Sequence, residues 1–394
     1  MRECRVCGGT HLNRVIDFGD MPLAGVFPDI KGKGHEKTYP LDIWHCSRCG
    51  VLQTGVTIDS DTLFRDYRYK SSVGLSGHFD EIAGLLVERH RLTKESRVIE
   101  IGSNDGVFLL PMQKRGVEIT GFEPSFNISK IAQSRGANVI NDYFSDVTAC
   151  HYVEEGSADM VVACNCMAHV PDLGPMVRGI SYVLKAGGVV VIEVQYVRDL
   201  IDGMQYDFIY HEHCYYHSIS SISTVFSREG MGLELVEHIP IHGGSVRLTF
   251  RKGSEGDRAP IEEEREAGIL DFAYYERFGD KVRSHINASR QAVEELSNRG
   301  SIAGYGASGR TNILTSMCGL TPGMVDYIVD DSPERAGRFT AKTHIPIVTA
   351  DKLRESPPDN LIIFAWTYAD MIREKISDLD IESYVLFPEF RRLG

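Results

Sequence analysis

The sequence predicts an α/β chain of three units, in which a small N-terminal zinc-binding unit precedes two doubly wound, Rossmann-like units. Three observations predict this. Two Cys-x2-Cys knuckles stand near the N-terminus, short apolar runs alternate with helical patterns from Arg97 onward, and glycine-rich strand-to-helix turns occur twice, at Gly102 and at Gly304. The expected boundaries are 1–70, 71–253 and 254–394, since 394 residues exceed what one ordinary core supports.

The first unit rests on Cys4-Arg-Val-Cys7-Gly8 and Cys46-Ser-Arg-Cys49-Gly50, where a glycine after each pair lets a tight turn aim both thiolates at one ion. The spacer, residues 8 through 45, is longer than in the usual zinc ribbon. With Cys4, Cys7, Cys46 and Cys49 all supplied by protein, no position stays open for a reactant, so the zinc is expected to be structural. The remaining thiols, Cys150, Cys164, Cys166, Cys214 and Cys318, lack such pairing and read as buried small hydrophobes. Residues up to about 70 are rich in Gly, Pro and Asp with little periodicity, as expected of a loop-rich unit in which the ion replaces a core. Tyr67 through Ser72 reads as a linker.

In the second unit the apolar runs Val98–Ile101, Val117–Phe122, Met160–Ala163 and Val189–Ile192 are separated by helical patterns, which predicts a parallel sheet. Leu233–Ile239 and Ser245–Phe250, joined through His242-Gly243-Gly244, read as an antiparallel pair at its edge. Residues 257–299 carry dense charge with Ile269, Phe272, Val282, Ile286, Val293 and Leu296 at helical spacing, which predicts long helices. A second strand-turn-helix unit then opens at Ser301–Gly306, followed by the strand-like Asp326–Val329 and Leu361–Ala365.

The net charge, 42 − 55 = −13, repels phosphate backbones and argues against nucleic acid as a partner. No run approaches the apolar length of a membrane span and Met1-Arg2-Glu3-Cys4 opens no apolar leader, so a cytoplasmic protein without a membrane partner is expected.

The turn Glu100-Ile-Gly102-Ser-Asn104-Asp-Gly106 follows a strand and enters a helix expected near Val107. Its glycines stand four apart and lack the G-x-G-x-x-G triplet that seats a pyrophosphate. The arrangement suits a cofactor without pyrophosphate, S-adenosylmethionine. Glu123, twenty-one residues beyond Gly102 and closing the next strand, is the type of group that accepts ribose hydroxyls, and Asn141-Asp142-Tyr143 after the third strand is a candidate adenine contact.

The densest cluster is Asp207-Phe-Ile-Tyr210-His211-Glu212-His213. The zinc-protease pattern needs two His four apart on a helix, and these stand two apart, so that reading fails. If the run is extended, alternation puts His211 and His213 on one side and Glu212 on the other. His169, after the fourth strand, stands on the ligand-binding edge of such a sheet.

Taken in order, these features resemble those of the three-domain sugar C-methyltransferases that methylate nucleotide-linked 4-keto-6-deoxy sugars at C3. The likeness spans nearly the whole chain. It rests on the paired knuckles, the Glu-x-Gly-x-Asn-Asp-Gly turn, Cys164-Asn165-x-x-x-His169, Tyr210-His211-Glu212-His213 and Gly304-Tyr305-Gly306-Ala307-Ser308. The resemblance implies a class I S-adenosylmethionine methyltransferase domain in the middle and a C-terminal domain that helps hold a dTDP- or GDP-linked sugar, in the making of a branched deoxy sugar. It implies His213 as general base, Glu212 and Tyr210 lining the sugar pocket, His169 opposite them, and a phenol from Tyr67 or Tyr69. His211 is expected to be structural. In the second glycine turn Tyr305, Ser308, Arg310 and Asn312, and after the next strand Asp330, are candidate contacts to the nucleotide sugar. Here the chain departs from the family, with Arg310-Thr311-Asn312 where Lys-Gly-Asn is usual, and Cys214-Tyr215 in place of an aromatic-Ser pair after His213.

The chemistry itself wants such groups. A carbon nucleophile forms when a base removes a proton α to a ketone while donors stabilise the oxyanion, and imidazole has a suitable pKa. Two other enzyme readings stay open, methylation at C5 on the ketone's other side and a zinc-containing NAD-dependent oxidoreductase. A non-enzymatic zinc and nucleotide module fits the charge less well.

Overall fold

The computed structural model describes residues 3–64 and 70–393. Its chain forms three sheets. The central one runs, in spatial order, Met231–Ile239, Ser245–Lys252, Leu184–Gln195, Ala158–Cys164, Arg97–Ile101, Glu118–Phe122 and Val139–Ile140. Numbered along the chain this is 6-7-5-4-1-2-3, with Leu184–Gln195 through Val139–Ile140 parallel and the last-formed strand antiparallel to its neighbour. The chain reverses its winding direction between Arg97–Ile101 and Ala158–Cys164, and that switch point opens a crevice at the carboxyl ends of the two strands. Both faces of the inner strands are covered, so they are continuously apolar. Val190, Val191 and Ile192 are wholly buried, each contributing about 1.5–3 kcal/mol by burial.

The C-terminal sheet repeats this logic with the order Ile347–Thr349, Tyr327–Asp330, Ile302–Tyr305, Asn360–Ile363, Glu382–Val385, Arg391–Arg392, the last strand antiparallel. Its switch point lies between the turn after Tyr305 and the turn after Ile363. The charged stretch ahead of it forms two helices, Ala259–Glu266 and Phe272–Ser297. The longer one buries Tyr275, Phe278, Val282, Val293 and Leu296 along one face, at the spacing its apolar residues predict.

The N-terminal unit departs from the expected loop-rich knot. It contains an eleven-residue strand, Leu12–Pro22, and a nine-residue strand, Thr38–Cys46, paired antiparallel and extended by Leu52–Thr54. Register shifts at Arg14/Ile16 and Asp17/Asp20 break the two-residue alternation, which is why the pattern hides the strand. The ion does not replace a core either. Leu41 and Ile43 are fully buried in a cluster shared with Leu200, Tyr206, Tyr275 and Phe278 from the other units.

Ser71 and Ser72 are no linker. Their backbone N–H groups donate to Asn104 Oδ1 (2.9 Å) and Asp105 Oδ1 (3.2 Å), and Ser72 opens the helix Ser72–Arg89, kinked at Val73 and Gly74. Tyr67 and Tyr69 lie outside the described residues. Among the described residues no helix is long and apolar enough to cross a membrane.

Candidate active site

Tyr210 to His213 is a turn and not the extended run that alternation assumed, because the His213 N–H donates to the Tyr210 carbonyl at 3.0 Å. The turn stacks the Tyr210 and His213 rings with centroids 4.3 Å apart and sends His211 the other way. His211 is fully buried, with Nε2 against the carbonyls of Tyr39 and Pro40 at 3.2 and 3.3 Å, the structural position expected for it.

His213 Nδ1 lies 3.0 Å from the Phe208 carbonyl, and His169 Nδ1 lies 2.7 Å from the Glu212 carbonyl. A carbonyl only accepts, so each Nδ1 carries the proton and each neutral ring keeps a bare Nε2. Burial holds His213 well below the ordinary imidazole range, with the charge of His169 adding to the effect, and burial lowers His169 as well. The neighbouring Glu212 carboxyl is pushed up to about 7 by burial, and its Oε2 has no partner among the described residues. His213 and Glu212 nevertheless keep part of their surface open.

The N-terminal unit clamps this turn. Leu52–Thr54 pairs antiparallel with Tyr215–Tyr216, completing a four-stranded sheet, and the Cys214 carbonyl accepts from Thr54 N (3.1 Å) and the Arg5 guanidinium (2.9 Å). Arg5 lies between the cysteines of the first knuckle. The four Sγ atoms of Cys4, Cys7, Cys46 and Cys49 lie within 4.8 Å of one another, with Cys4–Cys49 at 3.7 Å and Cys7–Cys46 at 3.6 Å. A tetrahedron of Zn–S bonds requires sulfurs about 3.8 Å apart, so the site fits zinc and holds it as structure. Of the other thiols Cys150 is exposed and Cys166 half-buried, against expectation, while Cys164, Cys214 and Cys318 are buried.

At the central switch point Gly102, Asn104 and Gly106 all have positive φ. A Cβ on Gly102 would come within 2.8 Å of the Cys166 Cβ, so the first turn passes directly over the turn after the fourth strand. The helix begins at Leu109, two residues later than expected, and runs only to Lys114. Glu123 accepts Asn104 N at 2.9 Å and Ser125 N at 2.8 Å, with burial raising its pKa. Asn141 spends its amide on the carbonyls of Glu123 (2.8 Å) and Pro124 (3.1 Å), shaping the turn. Asp142 and half-exposed Tyr143 line an open depression with Asp61, Pro124 and Phe126.

The second glycine turn is largely spoken for by protein. Asn312, fully buried, donates to the carbonyls of Leu23, Ala24 and Val26 and accepts from Ala341 N, so its amide braces the N-terminal segment and is not free to contact a sugar nucleotide. Asp330 accepts from Ala307 N (2.6 Å) and Ser332 N (2.9 Å), Ser308 caps the helix through Thr311 N, and the Tyr305 hydroxyl donates to Asp331. Arg310 points elsewhere. Its Nε is 3.3 Å from Asp207 Oδ2, its guanidinium sits 4.3 Å over the Phe208 ring, and Trp366 from the C-terminal switch point also bonds Asp207 at 2.9 Å. The C-terminal crevice is thereby set against the segment that supplies the His213 acceptor.

Three family models cover consecutive stretches of the chain. They describe a zinc binding domain (residues 4–64), a methyltransferase domain (77–238) and a C-methyltransferase C-terminal domain (240–383). The C-methyltransferase NovU of Streptomyces niveus is 32% identical over 384 residues, covering 94% of this chain and 91% of that protein. The chain belongs to this C-methyltransferase family. A ubiquinone biosynthesis O-methyltransferase of Chromobacterium violaceum is 30% identical over 110 residues, 26% of this chain and 45% of that protein. Among solved structures, PH0226 of Pyrococcus horikoshii OT3 (14% identity, 50% of this chain and 100% of that one, TM-score 0.40) and YcgJ of Bacillus subtilis (16%, 45% and 99%, 0.38) are similar.

This C-methyltransferase is an α/β enzyme with a zinc-binding N-terminal domain and a class I, S-adenosylmethionine-dependent central domain. The NAD-dependent reading is thereby set aside. The central crevice fits the methyl donor in one specific respect. Glu100 Oε2, Ser103 Oγ and Asn165 Nδ2 are buried there without partners among the described residues, and such atoms are rarely left so unless a ligand meets them. Burial, with Glu123 and Asp105 nearby, raises the Glu100 pKa well above its ordinary value.

Sequence reasoning missed two groups. His78 Nε2 bonds Glu193 Oε2 at 2.8 Å, and the other Glu193 oxygen pairs with Arg247 at 2.7 Å, a wholly protein-made charge cluster beside the cleft. His242, in the turn between the last two strands, has φ +53°. Its only one-dimensional signal was a large residue ahead of two glycines in a hairpin.

Proposed function

We propose that this C-methyltransferase removes the C3 proton of a nucleotide-linked 4-keto-6-deoxy sugar and methylates the resulting enolate, a step toward a branched deoxy sugar. The observation that carries the reading is the pair of imidazoles with both Nδ1 protons committed to main-chain carbonyls, which leaves each Nε2 unprotonated and able to accept a proton. His213 acts as the base. Neutral imidazole there takes the proton, and the Phe208 carbonyl stabilises the imidazolium that forms. Tyr210 and Glu212 line the sugar, and a Glu212 carboxyl whose pKa is near 7 can stay protonated and donate to the C4 oxyanion. His169 faces them and fixes the turn through the Glu212 carbonyl.

Glu100, Gly102, Asn104, Gly106 and Glu123 would hold S-adenosylmethionine, with Asp142 and Tyr143 toward its adenine. When bound, the cofactor supplies an electrophilic methyl group on its sulfonium. The protein's share is to hold the sugar carbon in line with that methyl and to exclude water. By the family resemblance, the nucleotide diphosphate, dTDP or GDP, is given to Arg310, Tyr305 and Ser308.

The test is incubation with methyl-labelled S-adenosylmethionine and a panel of dTDP-, GDP- and CDP-linked 4-keto-6-deoxy sugars. A new methyl on C3 is expected. A methyl on C5 would move the same base chemistry to the ketone's other side, and no carbon methylation with any member would overturn the proposal.

A further inference from the structure

His242 occupies a backbone position that few side chains accept, at φ +53° in the turn Ile241–Gly243. The turn is fixed from both sides. Gln195 Nε2 donates to the His242 carbonyl at 3.2 Å, and Gln205 Nε2 donates to the Gly243 carbonyl at 2.7 Å. The next two positions are tightly packed, since a Cβ on Gly243 would lie 2.2 Å from the Gln205 side chain and one on Gly244 would lie 2.4 Å from that of Asp199. The chain thus holds a histidine in the left-handed region on a turn whose carbonyls are held by two glutamines. Such strain is kept where the side chain is needed.

The anchors indicate where the ring stands. Gln195 follows Glu193 by two residues, and Glu193 bonds His78; Gln205 precedes Asp207 by two residues, and Asp207 pairs with Arg310. The charged groups that bear on the ring are Arg310, His78, Glu193 and His169, and His242 bears in turn on His213. Among the described residues, the ring of His242 has no hydrogen-bond partner of its own. The turn that carries this uncommitted imidazole is tied to Gln205, whose carbonyl accepts from Phe208 N at 3.1 Å, and Phe208 both lies under the Arg310 guanidinium and supplies the carbonyl that holds His213.

We infer that His242 is a substrate-binding residue that donates a ring N–H to the phosphate next to the sugar, forming with Arg310 a two-sided grip on the diphosphate. This rests on the nucleotide-sugar reading above, in which a ligand with its sugar at His213 and its anion at Arg310 runs alongside the Gln205–Phe208 segment to which the His242 turn is tied. The proton stays on the imidazole, and the residue takes no part in carbon deprotonation. Its contribution is to hold the diphosphate, and so to raise substrate affinity.

The direct test compares wild type with His242→Asn, which keeps a residue tolerant of the left-handed backbone. Binding of dTDP, GDP and the matched 4-keto sugar nucleotide is measured by calorimetry, alongside binding of S-adenosylmethionine. Loss of a hydrogen bond to a charged group is expected to weaken both nucleotide ligands by about tenfold or more. KM for the sugar nucleotide should rise in step, with kcat within about threefold and cofactor affinity unchanged. Equal nucleotide affinity in the two proteins overturns the inference, and so does a collapse of kcat at unchanged KM. A wild-type measurement guards against a misfolded variant: the ring nitrogen resonances of His242 in nitrogen-labelled protein should shift on adding the free nucleoside diphosphate, and unshifted resonances at saturation also overturn it. If wild type binds no sugar nucleotide at all, the nucleotide-sugar reading falls as well. Binding by wild type that His242→Asn leaves intact removes only the role of His242.

Discussion

The imidazoles of His213 and His169 stand with ring centroids 4.9 Å apart, and each is held by a main-chain carbonyl within two consecutive turns of chain. His169 bonds the carbonyl of Glu212, the residue just before His213, so neither ring can rotate without disturbing the other's support. Two imidazolium ions at this separation would repel strongly, and the pair is therefore at most singly charged. One proton can be taken up, which is what abstraction from carbon requires.

This sets the acidic limb of activity. Because burial and His169 lower the His213 pKa, the base form should persist below the ordinary imidazole value of about 6.5. kcat/KM is expected to stay flat on acidification to below pH 6.5 and then to fall. His169→Asn, which removes the neighbouring charge, should move the limb upward. A pH–rate profile checks both, and a wild-type limb above pH 6.5 would contradict the arrangement.

Glu212 gives a stability test of the opposite sign. Its folded pKa, raised to about 7 by burial, exceeds the unfolded value of about 4.3. The native state therefore binds more protons in that window, and this contribution is complete below pH 4.3 and lost as pH rises through 7. Glu212→Gln, which mimics the protonated acid, should raise Tm by a few degrees at pH 8 relative to wild type and change it little at pH 5. Thermal unfolding at the two pH values measures the difference.

Gly102 tests the cofactor crevice without touching the bases. An added Cβ would meet Cys166 at 2.8 Å on a backbone with φ +72°, so Gly102→Ala should displace the turn. S-adenosylmethionine affinity is expected to drop by about tenfold or more, of the order that strain of 1–3 kcal/mol produces. Calorimetric titration reads the change directly.

The zinc site should matter for activity although it lies away from the chemistry. Cys46 ends the strand Thr38–Cys46, whose partner Leu52–Thr54 carries Tyr215–Tyr216 behind His213. Cys46→Ser should lower bound zinc, lower Tm and reduce kcat together. Metal analysis, unfolding and turnover on one preparation check the coupling, and full activity in zinc-free protein would break it.

The parallel strands and the glycine turns were legible in the sequence because burial on both faces writes continuous apolar runs, and Cys4, Cys7, Cys46 and Cys49 because tetrahedral coordination dictates their spacing. The N-terminal strands were not, since bulges in Leu12–Pro22 scramble the alternation and much of the cluster that buries Leu41 and Ile43, including Leu200, Tyr206, Tyr275 and Phe278, lies more than a hundred residues away. The Tyr210–His213 segment was found by its composition, yet its turn geometry depends on the Tyr210 carbonyl and on clamping by Thr54 and Arg5. Asn312 drew attention as a polar residue in a ligand-type turn. Its actual partners, Leu23, Ala24, Val26 and Ala341, come from distant chain that no local pattern can announce.

The most direct test of the central claim is solvent-deuterium exchange at the carbon beside the ketone, followed by proton NMR of a 4-keto-6-deoxy sugar nucleotide that wild type methylates. Wild type should exchange that position, while His213→Ala should lose exchange by a factor of about 10²–10⁴, the range of general-base contributions, and still bind S-adenosylmethionine normally. Exchange at the wild-type rate in His213→Ala would show that another group removes the proton and would contradict the account.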